Sequence, residues 1–155
     1  MTQFSDVAFD GLYGAAIMDH YRNPRHRAPL EEAQLFAHEF NPFCGDEVTL
    51  RAQMDDAGRV ARVSSQSQGC SIIQASASMM AECMEGKSAE EIEEMARLFR
   101  EMMRGKEIAP EGLERLRDLA ALQVVRQYPV RIKCALLPWT ALEEGLEKWR
   151  RANRG

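Results

Sequence analysis

Four residues of this chain have types and positions that could do chemistry together: Cys44, Asp46, Cys70 and Cys134. Cys44 lies in Asn41-Pro42-Phe43-Cys44-Gly45-Asp46, a Pro/Gly turn that can present a thiol outward, with Gly45 letting Asp46 approach the same point. Cys70 follows Gly69 and directly precedes an amphipathic run, where the unpaired N–H groups of a helix start favour a thiolate. Cys134 follows Arg131-Ile132-Lys133, at or near the start of the last helix, and two adjacent cations are expected to lower its pKa. Three thiolates and a carboxylate make a tetrahedral zinc set. Such a set leaves about −2 formal charge on Zn²⁺, which Arg131 and Lys133 would offset. The same soft donors suit an iron–sulfur cluster, and spacing does not choose between the two. No C-x-x-C occurs and the cysteines are far apart, so only the fold can assemble a shared site.

The remaining candidates read differently. A cytosolic cysteine is most often a small buried hydrophobe, and Cys83 fits that reading because it shares an apolar stripe with Met79 and Met80. The nine methionines are read as core filling. His20 ends a helix and His26 sits in an arginine-rich loop; both are read as exposed polar positions. His38 could reach the Cys44 turn across a strand.

The elements that must position these residues follow from hydrophobic period. Phe9 to Tyr21 carries Leu12, Tyr13, Ala15, Ala16, Ile17 and Met18 at helical spacing, with Ser5 or Asp10 as cap and Asn23-Pro24 as stop. Strand-like alternation runs from Val48 to Met54 and returns over Val60 to Ser64 across Asp55-Asp56-Ala57-Gly58; a third strand over Leu35 to Phe40 completes an antiparallel meander. From Ser71 the pattern is helical, with Ile72, Ala75, Ser76, Met79, Met80 and Cys83 on one face and Gly86 ending the run. Ser88 with Glu91 is a capping box, opening a helix to about Arg104 with Ile92, Met95, Leu98, Phe99 and Met102 inward. A third helix is expected from Pro110 or Glu111 to Gln127, carrying Leu113, Leu116, Leu119, Ala120 and Val124. Pro129 breaks it before a last helix that holds Leu137, Leu142, Leu146 and Trp149. Strands first and helices after predict an α+β fold, a small three-stranded antiparallel sheet packed against a group of helices.

Length and composition agree. The 155 residues suit a single domain over 1–155. A content of 28% charged and 45% hydrophobic residues is globular usage. A net charge of −4 carries no nucleic-acid footprint. No stretch approaches the ~20 apolar residues of a membrane span, and the first residues lack signal-peptide regions. A cytoplasmic protein with reduced thiols is expected, with neither a nucleic-acid nor a membrane partner.

These motifs resemble the U-type iron–sulfur cluster assembly proteins (IscU, NifU N-terminal and SufU). The resemblance rests on Asn41 to Asp46, on Gly69-Cys70-Ser71-Ile72-Ile73-Gln74-Ala75-Ser76-Ala77-Ser78-Met79-Met80, and on Arg131-Ile132-Lys133-Cys134-Ala135-Leu136-Leu137-Pro138-Trp139. Leu12-Tyr13 and Ile17-Met18-Asp19-His20-Tyr21-Arg22-Asn23-Pro24 look like the family's opening helix. Lys133 stands where the IscU scaffolds carry histidine, and Gly86 to Tyr128 looks like the longer insertion of the SufU branch. The resemblance implies a SufE/NifU-like fold and zinc held by Cys44, Asp46, Cys70 and Cys134, with Arg131 and Lys133 in support. It further implies sulfurtransferase activity, with persulfide sulfur accepted on Cys44, the catalytic residue, from a SufS-type cysteine desulfurase. Sulfur would pass on to SufBCD-type assembly machinery or apo iron–sulfur proteins, and the chain would be a monomer or weak dimer. One alternative is a scaffold building a transient [2Fe–2S] or [4Fe–4S] cluster on the same four residues; another is a structural zinc domain for protein contacts. The loop with Arg22, Arg25, His26 and Arg27 is a candidate for meeting an acidic partner surface.

Overall fold

Alternating burial along the chain makes a sheet, and near-continuous burial makes the helix behind it. The computed structural model describes residues 11–42 and 45–153, with side chains from residue 14. The proposed caps Ser5 and Asp10, the side chains of Leu12 and Tyr13, and Cys44 lie outside these described residues. In chain order the elements are α1 (Gly11–Arg22), β1 (Leu35–Asn41), β2 (Asp46–Met54), β3 (Val60–Gln68), α2 (Ser71–Met84) and α3 (Ala89–Met103). Then come α4 (Pro110–Leu116), a 3₁₀ segment (Arg117–Gln127) and α5 (Pro129–Ala152).

The strands form an antiparallel sheet in the order β1-β2-β3, which is the expected meander and an α+β architecture. Register runs Leu35 to Ala52 and Asn41 to Asp46 in the first pair, and Glu47 to Gln68 in the second. The sheet's inner face carries Leu35, Ala37, Val48, Leu50, Ala52 and Val63, all buried, and α5 and α2 pack against it. Gly145 allows the close approach of α5, because a Cβ there would sit 2.9 Å from Leu35 Cδ2. The free edge of β3 is covered by the loop after α1: Ser65 N donates to the His26 carbonyl at 2.8 Å, which removes an exposed pairing edge. The capping box of α3 is present, with Glu91 N donating to Ser88 Oγ and Ser88 N to Glu91 Oε1.

Four expectations are corrected. First, α2 is buried almost all round rather than on one face, because it is the central helix with α1, α5 and β3 on different sides. Second, the buried face of α1 is Gly14, Ile17 and His20, while Ala15 is exposed and Ala16 and Met18 are half-buried. Third, the segment from Pro110 to Gln127 is not one α-helix. The α-helical part ends at Leu116, Arg117 takes a positive φ of 54°, and 3₁₀ turns follow. The buried residues Leu116, Leu119, Leu122 and Val125 recur every third position, the period of a 3₁₀ helix, so Ala120 and Val124 are only half-buried. Fourth, Pro129 starts α5 instead of preceding it. Proline suits the first helical position, where its missing N–H costs nothing.

Among the described residues, no helix is long and apolar enough to cross a membrane.

Candidate metal-thiolate site

Three elements converge on one point. Asp46 is the first residue of β2, Cys70 is the N-cap of α2, and Cys134 lies inside α5. A carboxylate oxygen of Asp46 and the two Sγ atoms all lie within 4.8 Å of one another. Asp46 and Cys134 are buried and Cys70 is half-buried, so the cluster has one side toward solvent. Cys70 N donates to Asp46 Oδ1 at 3.2 Å, and Cys70 Sγ stands 3.9 Å from Asp46 Oδ2.

Gly69 makes this closeness possible. Its φ is +131°, and a Cβ built on it would lie 2.0 Å from Asp46 Oδ1 and 2.8 Å from Asp46 Cγ. Any other residue would occupy the space of the carboxylate. The conspicuous Gly-Cys pair was readable in the sequence; that the glycine serves Asp46, 23 positions upstream by chain number, was not. Gly45, at φ +73°, turns the chain into β2, and its N–H donates to the Asn41 carbonyl at 2.8 Å across the turn. Cys44 belongs to that turn by sequence and lies outside the described residues.

A second tie joins the helices that carry the two thiols. Pro138 lies within α5 and has no N–H to offer the carbonyl of Cys134, four residues before it. At the next carbonyl, that of Ala135, the buried Ser76 Oγ of α2 donates at 2.7 Å. Sequence reading took Ser76 as one more residue of an apolar face.

The thiols differ sharply. Cys70 is lowered to about 6, first by a hydrogen bond from Cys134 and then by the backbone N–H groups of Ile73 and Ile72, against the cost of burial. The helix start contributes in the expected direction, but the neighbouring thiol, which the sequence did not place there, is the larger cause. Cys134 goes the other way. Its pKa is raised strongly, by the bond it gives Cys70, by burial, and by Asp46. The cations beside it in sequence do not reverse this, because adjacent residues on a helix do not face the same way. Lys133 is exposed. Arg131, three residues from Cys134 and so on its side of the helix, does reach the site: burial opposes its charge, but bonds and charge from Cys134 and Cys70 outweigh that and raise it. The two thiols are therefore shifted in opposite directions, Cys70 down and Cys134 up, beside the Arg131 guanidinium.

Outside the cluster, Cys83 is buried and pushed up to about 11 by burial, in keeping with a core residue. His20 overturns its expected exposure: it is fully buried, with Nδ1 2.8 Å from Ser78 Oγ and Nε2 2.9 Å from Asp118 Oδ2. Those partners are remote in sequence, so a polar residue on the inner face is satisfied only by the fold. His38 is exposed and bonded to Glu47 Oε2 at 2.6 Å. In the loop after α1, Arg25 is paired with Asp19 and Glu82, His26 with Glu85, and Arg27 donates to the Ser67 carbonyl at 3.4 Å. The charge of Arg25 is met by carboxylates within the chain.

The profile of the family described as "NifU-like N terminal domain" matches residues 12–154. The zinc-dependent sulfurtransferase SufU of Bacillus subtilis is 42% identical over 139 residues, covering 90% of this chain and 92% of that one. The iron–sulfur cluster assembly scaffold protein IscU of Thermotoga maritima is 34% identical over 142 residues, covering 92% and 97%. A crystal structure of an iron–sulfur cluster assembly scaffold protein for the SUF system from Fervidobacterium islandicum superposes with a TM-score of 0.75 at 36% identity, covering 84% of this chain and 93% of that one.

Proposed function

The chain belongs to the family of NifU-like N-terminal domains, and from that premise we propose that it is an iron–sulfur cluster assembly protein acting as a zinc-dependent sulfur acceptor. The observation that carries this reading is the convergence of Asp46, Cys70 and Cys134 from three elements within 4.8 Å. Two thiols and a carboxylate fit the donor preferences of zinc. Cys44 is the fourth proposed donor; two peptide units separate it from Asp46, so their Cα atoms are at most ~7.6 Å apart. When bound, zinc would hold the thiols as thiolates at neutral pH.

The residues of the chain have distinct tasks in this reading. Asp46 is fixed by Cys70 N and by the absence of a side chain at Gly69. Cys70 and Cys134 are anchored in helices tied together through Ser76, so they are the holding thiols. Arg131 offsets the negative charge of the cluster. Lys133, exposed and next to Cys134 in sequence, has a supporting role. Cys44, carried by a Pro/Gly turn, is the acceptor. Its thiolate attacks the terminal sulfur of a persulfide on a partner cysteine desulfurase. A sulfur–sulfur bond forms at Cys44, the partner's breaks, and the partner cysteine leaves as thiolate. The desulfurase is SufS-type, and the sulfur moves on to SufBCD-type machinery or apo iron–sulfur proteins. The setting is cytoplasmic and the chain works as one domain, as a monomer or weak dimer.

The scaffold reading has one specific support, the 34% identity to an IscU scaffold over nearly the whole chain. Alanine release by a SufS-type desulfurase separates the two. The zinc-loaded chain is expected to stimulate it strongly, and chelation to abolish the effect. No stimulation, together with a brown chromophore after anaerobic reconstitution with iron and sulfide, would favour the scaffold.

A further inference from the structure

A second group of metal-ligating side chains lies away from the thiols. His20 of α1, Glu82 of α2 and Asp118 of the 3₁₀ segment bring one ligand atom each within 4.8 Å of one another. Cys70 caps the start of α2, whereas Ser78 and Glu82 lie eight and twelve residues further along it, about 12–18 Å down the axis. The two groups are therefore separate sites.

We propose that His20, Glu82 and Asp118 bind a divalent transition-metal ion of the zinc class, which clasps the 3₁₀ segment to α1 and α2. This goes beyond the thiol site and does not depend on it. An imidazole and two carboxylates are a sound donor set for such an ion, with solvent supplying a further ligand. Ligands around tetrahedral zinc stand about 3.3 Å apart for bonds near 2.0 Å. The distance from His20 Nε2 to Asp118 Oδ2 is 2.9 Å and no pair exceeds 4.8 Å, so rotamer adjustments of the two carboxylates suffice.

The surroundings favour ligation through Nε2. Ser78 Oγ accepts the Arg25 backbone N–H at 2.9 Å and stands 2.8 Å from His20 Nδ1. A hydroxyl oxygen has two lone pairs, so Ser78 can accept both Arg25 N–H and an Nδ1–H, turning its own hydrogen to the carbonyl one turn back, as helical serines do. A ligating histidine normally donates its second N–H in this way. His20 is fully buried and cannot swing away, while Asp118 is half exposed and opens the site to solvent. Arg25 is the competing cation. Asp19 holds it at 2.6 Å, and its contact with Glu82 is looser at 3.7 Å, so Glu82 can turn toward an ion without leaving Arg25 unpaired.

Cobalt(II) is the probe. The metal-stripped chain is titrated with Co²⁺ while absorption and heat are recorded. Two equivalents are expected, one with intense sulfur-to-cobalt charge transfer and one with weak visible bands only. In the Glu82→Gln/Asp118→Asn double variant, at part-exposed positions that keep their shape, the second equivalent is expected to disappear and the charge-transfer equivalent to stay. A parent chain that binds only the charge-transfer equivalent, or a weak-band equivalent that survives in the double variant, overturns the proposal. Absence of charge transfer with the weak-band equivalent retained would instead count against the thiol site alone.

Discussion

Replacing Gly69 with alanine tests how the site is built. The new Cβ would lie 2.0 Å from Asp46 Oδ1, so the carboxylate must retreat by roughly 1.5 Å to reach ordinary contact. That movement breaks the 3.2 Å bond from Cys70 N, a hydrogen bond to a charged group worth about 1.5–3 kcal/mol. The φ of +131° adds strain of order 1–3 kcal/mol for a residue with a side chain. Urea denaturation of the metal-free chain is expected to show a loss of about 2.5–6 kcal/mol. A double-mutant cycle assigns the cause. In an Asp46→Ala background the carboxylate and its bond are already gone, so Gly69→Ala is expected to cost only the strain, a coupling of about 2 kcal/mol. Equal costs in both backgrounds would refute the reasoning, because the damage would then not pass through Asp46.

Thiol titration by ultraviolet absorbance of the metal-free chain should show one thiolate forming near pH 6, and Cys134→Ala should move that step up toward the ordinary thiol range, since Cys134 is the first cause of the depression. The linked stability has a defined sign. Cys70 loses its proton earlier in the folded state, so its contribution is present above about pH 9 and is lost as pH falls through about 6. The raised Cys134 contributes below its unfolded value and loses that contribution in more alkaline solution, so this pair stabilises the metal-free chain most near the upper end of that window. Ser76→Ala should cost about 0.5–1.5 kcal/mol by removing its hydrogen bond to the Ala135 carbonyl, and it should weaken Co²⁺ binding at the thiols without changing the α-helical circular dichroism. Ser88→Ala removes the capping box of α3 and should cost about 1 kcal/mol, with no effect on metal binding.

The parts legible in the sequence were those fixed by local chemistry. The meander follows from alternation, the start of α3 from Ser88 and Glu91, and the exceptional status of Cys70 from its place between Gly69 and an amphipathic run. What escaped depends on partners far along the chain. His20 is buried because Ser78 and Asp118 await it; no local pattern announces that. Cys134 has its pKa set by Cys70 and Asp46 across the fold, so the cations beside it in sequence gave the wrong sign. The 3₁₀ segment was hidden because a leucine every third residue also fits part of an α-helical stripe. Only positive φ at Arg117 marks the change.

The central claim is that sulfur is accepted on Cys44, and locating the transferred sulfur tests it most directly. The zinc-loaded chain is incubated with the desulfurase and cysteine, digested without reductant, and the peptides are weighed. A one-sulfur increment on the peptide containing Cys44, absent in Cys44→Ala, is the expected result. Sulfur still accepted by Cys44→Ala but abolished by Cys70→Ala would contradict it.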